Sequence, residues 1–212
     1  MAKVSIGKGA LLAPLPDVMV SCGDISGEKN IITVGWTGMI NTTPPMCYIS
    51  VMPSRYSHDI IAESREFVIN LVSEKLTRAM DLCGVKSGRD IDKFRLTGLT
   101  PQKCSCVNCP AIAESPVSIE CRVIDTVPLP SHDMFLAEIV NVTVDERLID
   151  EAGKVRFESA GLVAGVHGGY YPVSSRQAGS FGYSVMKPKT RKRKEKEKAA
   201  ARRAAAGKRK RR

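Results

Sequence analysis

The sequence predicts a mostly β protein with short helices, built around an antiparallel β-barrel of the α+β type. Short apolar or alternating segments typical of strands recur along the chain, whereas helical segments are few and short. Strands and helices do not alternate with the regular spacing that a doubly wound parallel sheet requires. The 212 residues, 43% of them hydrophobic, suffice for a sizeable core, and no internal repeat is present.

The first strands are expected near the N-terminus. Val18–Cys22 is a short apolar run, and Asn30–Trp36 is rich in β-branched residues. The glycine-containing stretch 23–29 between them is typical of a turn. After the break at Pro44 and Pro45, Met46–Met52 is an apolar run suited to a strand buried on both faces.

Two helices flank the next predicted strand. Tyr56–Ser64 has helical spacing of its apolar residues, and Glu66–Val72 returns to a strand pattern. Ser73 is a natural N-cap for a second helix over Glu74–Cys83. Gly84 is expected to end that helix, because glycine is the preferred residue just beyond a helix C-terminus.

The middle of the chain is less regular. Residues 86–116 carry Gly, Pro, Asp and several charges, which indicates an excursion or lid with a short helix outside the core. Val117–Val127 and Met134–Val144 alternate like two long antiparallel strands. Residues 161–184, rich in Gly, Tyr and Ser, are expected to form a closing loop and an edge strand.

The positive charge is concentrated at the C-terminus. Residues 187–212 hold fifteen Lys or Arg and two Glu, a net charge of +13, whereas residues 1–186 have a net charge of −3. The body is therefore not a basic nucleic-acid-binding domain. The tail lacks branched apolar and aromatic residues and is predicted to be disordered. It would attract nucleic acid nonspecifically, or an anionic membrane surface, or act only as a solubilising appendage.

The sequence also bears on the compartment. The first residues lack the unbroken apolar stretch of a secretory signal, and no segment approaches the roughly 18 apolar residues of a membrane span. We therefore expect a cytoplasmic protein without a membrane span. Its seven cysteines are then expected to be thiols or metal ligands.

Cys104, Cys106 and Cys109 form a local cluster with a CxxC spacing. One interpretation is a zinc or iron site, which would need a fourth ligand from elsewhere in the fold. We favour free or redox-active thiols, since no second CxxC pair is present, and predict no metal ligands. A transient disulfide between Cys106 and Cys109 is a third interpretation.

Several motifs occur in an order that is informative as a set. They are Asn30–Gly38, Pro44–Ile61, Glu66–Leu71, Ser115–Cys121, Ser131–Ile139 and Phe181–Ser184. In this order they resemble the flavin reductase-like family, and specifically its flavoredoxin branch. The resemblance covers about residues 14–183.

The resemblance implies a split β-barrel, antiparallel and of Greek-key type, that binds FMN at a homodimer interface. It places Thr33, Val34, Gly35, Trp36 and Thr37 along the flavin ring, with Ser50, Val51 and Met52 offering backbone groups to it. It assigns the phosphate to Arg55, Tyr56 and Ser57. Elementary chemistry agrees, because a phosphate favours a guanidinium, hydroxyl donors and the free N–H groups at a helix start.

Other polar residues have open interpretations. Asn70, in an apolar strand, needs a partner that either the flavin edge or a backbone group could supply, and we count it among the candidate cofactor-binding residues. His132 is a candidate ligand of the flavin or the nicotinamide, or a turn residue. His58 and Asp59 are expected to cap or line the start of the helix without a catalytic task.

The function implied is an FMN-binding oxidoreductase that takes hydride from NADH or NADPH and passes electrons to an unidentified acceptor. No acid–base pair or nucleophile is expected, because the cofactor carries the chemistry. One alternative is an FMN electron carrier without pyridine-nucleotide activity. Another is a nucleic-acid-associated protein in which the barrel is a scaffold and residues 187–212 bind.

Overall fold

Strands dominate the structure, a computed structural model that describes residues 1–174, 176–193 and 196. The strands are β1 Val18–Gly23, β2 Lys29–Val34, β3 Thr37–Thr42, β4 Pro45–Val51, β5 Glu66–Asn70, β6 Pro101–Gln102, β7 Ala111–Ile112, β8 Val117–Pro128, β9 Asp133–Val144, β10 Val163–Val166 and β11 Gly169–Pro172. The α-helices are α1 Tyr56–Ser64, α2 Thr77–Val85 and α3 Lys93–Thr97. The mostly β prediction is confirmed.

Seven strands form one sheet in the order β2-β1-β5-β8-β9-β4-β3, and every neighbouring pair is antiparallel. Hairpins join β1 to β2, β3 to β4 and β8 to β9. The neighbours β1–β5, β5–β8 and β9–β4 are not joined by hairpins, which makes the order Greek-key-like instead of a simple meander.

The sheet curls around its main core. That core contains Ile32 and Val34 from one edge strand together with Ile49 and Val51 from β4, near the other edge. Phe67, from the middle of the sheet, is completely buried in the same cluster. Apolar residues from both ends of the sheet thus meet inside it, as in a barrel.

The prediction that β4 is buried on both faces is wrong. Cys47, Ile49 and Val51 are buried, but Tyr48 and Ser50 between them are half-buried. Only one face of this strand points into the barrel, and the alternate residues on the other face are partly exposed. The sequence analysis missed β3, whose polar, glycine-containing sequence carries little apolar alternation.

A second apolar layer lies outside the barrel, where α2 and α3 cover β1 and β2. Met19 and Ile31 pack there against Met80 of α2 and Phe94 of α3. The excursion over residues 86–116 therefore contributes to the core, contrary to our expectation. Its apolar side chains cover the outer surface of the sheet, since a helix buries its apolar side by packing on the face of a sheet.

The expected role of Gly84 is also corrected. This residue lies inside α2, which continues to Val85, and does not end the helix. A Cβ at Gly84 would lie 3.1 Å from the Cβ of Thr33 on β2. The glycine therefore lets α2 approach β2 closely, which matters because both elements border the site described below.

The chain divides into two units, residues 1–175 and 176–212. The first unit ends with the β10–β11 hairpin, where a closing loop and an edge strand were expected. In the second, residues 188–193 are helical, and most of the predicted disordered tail lies outside the described residues. The boundary at residue 186 stays a prediction. No helix in the described ranges is long and apolar enough to cross a membrane.

Candidate functional site

The loop between β4 and α1 presents a helix start. Arg55 occupies the N-cap position in an extended conformation, with φ −78° and ψ 135°. Its N–H donates to the carbonyl of Met52 at 3.0 Å, and its carbonyl accepts from the N–H of His58 at 2.9 Å. These bonds fix the loop as it enters the helix, whose first N–H groups have no partner within α1.

A cavity of about 140 Å³ opens at this helix start. Arg55, Tyr56 and Ser57, the predicted phosphate-binding residues, all line it. Lys86 and Lys93 line it as well, so the walls carry three cations. A cationic cavity of this size at a helix N-terminus is suited to a phosphate group.

Lys93 is the residue that the sequence analysis missed. Its side chain is only 4% exposed, and its ammonium donates to the carbonyls of Ile31 and Cys83, each at 2.7 Å. Desolvation lowers the pKa of the amine below its usual value near 10.5. An ammonium has three N–H donors, so one remains for an anion in the cavity. Lysine is ordinarily a surface residue, and nothing in the local sequence marked this one.

Ser57 and Asn30 form the opposite wall. The amide of Asn30 donates to the Ser57 hydroxyl at 2.8 Å, and both residues are buried. A Cβ at Gly88 would lie 2.4 Å from Asn30 Oδ1 and 2.6 Å from the Tyr56 ring. Glycine at position 88 therefore allows the loop after α2 to close tightly over this wall.

Tyr56 contributes to the cavity differently from what was expected. Its hydroxyl donates to the carboxylate of Glu28 instead of pointing to the cavity. The guanidinium of Arg89 lies 5.3 Å from the centre of the Tyr56 ring and donates to the Ser54 carbonyl at 3.1 Å. Tyr56 thus forms part of the wall, and the hydroxyl contribution falls to Ser57.

A second cavity, of about 210 Å³, adjoins the first. It is lined by Leu15, Ile32, Thr33, Val34, Gly35, Trp36, Ser50, Val51, Met52, Arg55 and His132. Arg55 and Ile32 line both cavities. Most residues that the resemblance assigned to the flavin ring therefore meet in one place, with the cationic cavity beside them.

Trp36 and His132 face each other at this second cavity. Their ring centres are 4.6 Å apart with the planes inclined by 39°. Trp36 is 44% exposed and so is not a core residue. The N–H of Ser50 on β4 donates to the Trp36 carbonyl at 2.9 Å, which ties the turn between β2 and β3 to β4 at the cavity.

Two predicted site residues lie elsewhere. Thr37 is in β3, where its hydroxyl donates to the Tyr48 carbonyl at 2.6 Å, and it lines neither cavity.

Asn70 is fully buried, and its assignment to the cofactor is corrected. Its amide donates to Ser21 Oγ at 2.9 Å, while its oxygen accepts from Ile112 N–H and the Ser118 hydroxyl, each at 2.9 Å. Protein groups therefore saturate this side chain.

All seven cysteines are free thiols. Within the described residues no three His, Cys, Asp or Glu side chains are placed to share a metal ion. Cys106 is exposed and its N–H donates to the buried carboxylate of Glu120 at 2.6 Å, whereas Cys109 is buried. Burial raises the pKa of the Cys104 thiol to about 11. The redox-active and disulfide interpretations stay predictions.

The curled antiparallel sheet and its two adjoining cavities define the class of protein, an antiparallel β-barrel with a two-part cavity at its surface. A comparison with known families agrees with this class. Residues 12–159 match the flavin reductase like domain. The chain therefore belongs to the flavin reductase-like family, and its fold is the split barrel of that family.

Three individual proteins show how far the similarity extends. The flavoredoxin of Desulfovibrio vulgaris (Miyazaki F) is 30% identical, with a TM-score of 0.80 over 86% of this chain and 100% of that one. The flavoredoxin of Methanosarcina acetivorans is 26% identical, with a TM-score of 0.79 over 88% and 100% of the two chains. An uncharacterized protein of Aquifex aeolicus is 29% identical over 76% of this chain and 85% of its own.

Proposed function

We propose that the protein binds FMN and acts as an oxidoreductase, taking hydride from NADH or NADPH and passing electrons to an acceptor. The observation that carries this proposal is the pair of adjoining cavities that share Arg55. One is cationic and of phosphate size, and the other has a largely apolar wall. A flavin with a single phosphate has the same two parts.

The cationic cavity fits the phosphate of FMN. Arg55 supplies a guanidinium, Lys93 a buried ammonium and Ser57 a hydroxyl, and all three border the same space. The cavity is narrowed where Gly88 packs against Asn30. Charge-assisted contacts of this kind are stronger than those between neutral groups, so this end is expected to supply much of the affinity.

The second cavity fits the flavin ring. Gly35 and Ser50 line the cavity, and Val34 and Met52 add apolar surface. FMN supplies hydride- and electron-transfer chemistry when it is bound. The chain's own residues would hold the ring, exclude water from one side of it and leave the side near Trp36 open to a second reactant.

The alternative is an FMN electron carrier without pyridine-nucleotide activity. The similarity to two flavoredoxins favours this candidate. Anaerobic mixing of the FMN-loaded protein with NADH or NADPH separates the two proposals. Bleaching of the flavin absorbance with either nucleotide supports the oxidoreductase, and the absence of bleaching with both supports the carrier.

A homodimer is part of the proposal. The edge strand β3 exposes Met39 at 62% and Ile40 at 46%, and Trp36 and Met52 at the second cavity are also exposed. An exposed apolar edge beside a half-open cavity is typical of an interface. Sedimentation of the purified chain tests this: a dimer is expected, and a monomer with FMN bound would contradict it.

The first test is the visible spectrum of the purified protein after incubation with FMN and removal of free flavin. Retained flavin absorbance supports the proposal. A colourless protein that binds neither FMN nor riboflavin would overturn it, and binding of RNA by that protein would favour the nucleic-acid alternative instead.

A further inference from the structure

An ion pair that the proposed function does not use lies between the residues that line the two cavities. His58 lies in the first turn of α1, directly after the residues that line the cationic cavity. Its Nε2 lies 2.8 Å from Oδ2 of Asp133, the first residue of β9. Asp133 in turn follows His132, which lines the flavin-ring cavity.

The imidazole has carboxylates at both of its nitrogens. Nδ1 lies 3.0 Å from Oδ1 of Asp59, while Nε2 faces Asp133. The ring of Phe135 packs against it at 5.4 Å, and the side chain of His58 is only 13% exposed. A neutral imidazole has one N–H donor, so both carboxylates can accept hydrogen bonds only when the ring is protonated.

The charges around His58 favour the protonated form. Burial alone lowers the pKa of the imidazole, but the hydrogen bonds to Asp59 and Asp133 outweigh it and raise the pKa above its usual 6.5. These two carboxylates, one on α1 and one on β9, are the charged groups that act on the ring. The ion pair is therefore present below the raised pKa and is lost as the pH rises through it.

The bond lies just beyond the last sheet pairing between these two segments, in which Val51 at the end of β4 pairs with Asp133 at the start of β9. On one side is the helix start that carries Arg55, whose carbonyl accepts from the His58 N–H. On the other is the start of β9, next to the contacting rings of Trp36 and His132. A shift of one segment relative to the other would change the distance between the phosphate cavity and the ring cavity.

We propose that His58 is a positioning residue whose contact with Asp133 holds the phosphate-binding helix start in register with the flavin-ring wall, and that loss of its proton weakens FMN binding. This inference rests on the proposed binding of FMN. FMN affinity then falls as the pH rises above the pKa of His58. Riboflavin affinity does not follow this dependence, because riboflavin has no phosphate to be aligned with the ring.

The first experiment needs no flavin. The ring protons of the three histidines are titrated by NMR in the apoprotein, and His58→Gln assigns the signal. We expect His58 to titrate above pH 6.5 and Asp133→Asn to lower that pKa clearly. Asp59→Asn is expected to lower it less, because Asp59 is 74% exposed. An unchanged pKa in Asp133→Asn would overturn the inference.

The second experiment measures FMN and riboflavin affinity by flavin fluorescence between pH 7 and 9.5, where the FMN phosphate stays dianionic. In the native chain FMN affinity is expected to fall with rising pH. In His58→Gln it should be about tenfold lower at pH 7 and should fall less steeply than in the native chain, because only the lowered pKa of Lys93 then contributes to the pH dependence. His167→Asn, at an exposed histidine, is the control and should follow the native curve.

A native FMN affinity that is constant across this range, or a His58→Gln variant with the native pH profile, would contradict the inference. If the native chain binds no FMN at any pH, the proposed function fails and the inference fails with it. The NMR result distinguishes the two cases, because the pKa change in Asp133→Asn does not depend on flavin.

Discussion

The ring of Trp36 lies 4.6 Å from the imidazole of His132, beside the cavity assigned to the flavin ring. Trp36 is the single tryptophan of the chain, so its fluorescence reports on this position alone. FMN in the cavity is expected to quench most of that emission. Titration of the apoprotein with FMN measures it, and unchanged emission in protein saturated with FMN would place the flavin elsewhere.

Arg55→Ala tests the residue shared by both cavities. Loss of a charge-assisted contact to a phosphate is expected to lower FMN affinity roughly 10- to 100-fold. Riboflavin affinity should change much less, since riboflavin lacks the phosphate. Arg95→Ala, at an exposed arginine of α3, is the matched control and should bind FMN normally. Equal losses for FMN and riboflavin would argue against a phosphate contact.

Lys93→Ala should affect stability as well as binding. The substitution leaves the carbonyls of Ile31 and Cys83 without their donor and opens a space in a buried region. We expect a loss of about 2–3 kcal/mol in the free energy of unfolding, measured by urea denaturation of the apoprotein. Lys75→Ala, at an exposed lysine, is expected to unfold like the native chain. Native stability in Lys93→Ala would show that this ammonium is not engaged as described.

Gly88→Ala tests the close packing at the cationic cavity. The added methyl would lie 2.4 Å from Asn30 Oδ1, so the loop or the Asn30–Ser57 pair must move. FMN affinity is expected to fall about tenfold or more. Gly27→Ala, where a Cβ would lie 3.8 Å from Asp24 Cβ, is the control with ordinary contacts. Native affinity in both variants would contradict the packing argument.

Removal of residues 187–212 tests the predicted domain boundary and the tail. The truncated chain is expected to bind FMN as the full chain does. If the tail contacts nucleic acid, the full chain should bind RNA or DNA with a steep salt dependence that the truncated chain lacks. Loss of FMN binding on truncation would move the boundary of the folded body.

Much of the site was predictable because its residues are close in sequence or follow regular strands. Arg55 and Ser57 lie at the start of a helix and Thr33 to Trp36 at the end of a β-branched segment, and the family resemblance assigned them to the phosphate and the flavin ring. Lys93 was not predictable in this way. Its two carbonyl partners lie 62 and 10 residues away in sequence, so its burial is a property of the tertiary fold.

The errors have a common physical cause. Asn70 was assigned to the cofactor because a polar residue in an apolar strand needs a partner, but Ser21, Ile112 and Ser118 supply that partner from distant segments. Gly84 was taken as a helix stop, although it serves the close contact between α2 and β2. The pattern of apolar residues identifies the helix or strand to which a residue belongs. It does not identify the tertiary contacts that other segments make with that residue.

Lys93 belongs to the excursion, and its ammonium donates to Ile31 on β2 and to Cys83 on α2. One nitrogen therefore holds three parts of the chain together. All three parts must be in place before this ammonium lies at the cationic cavity. The ability to capture an anion should therefore arise only once the excursion has docked onto the barrel. Recovery of FMN binding during refolding would then report the docking of the excursion, which the signal of strand formation alone does not.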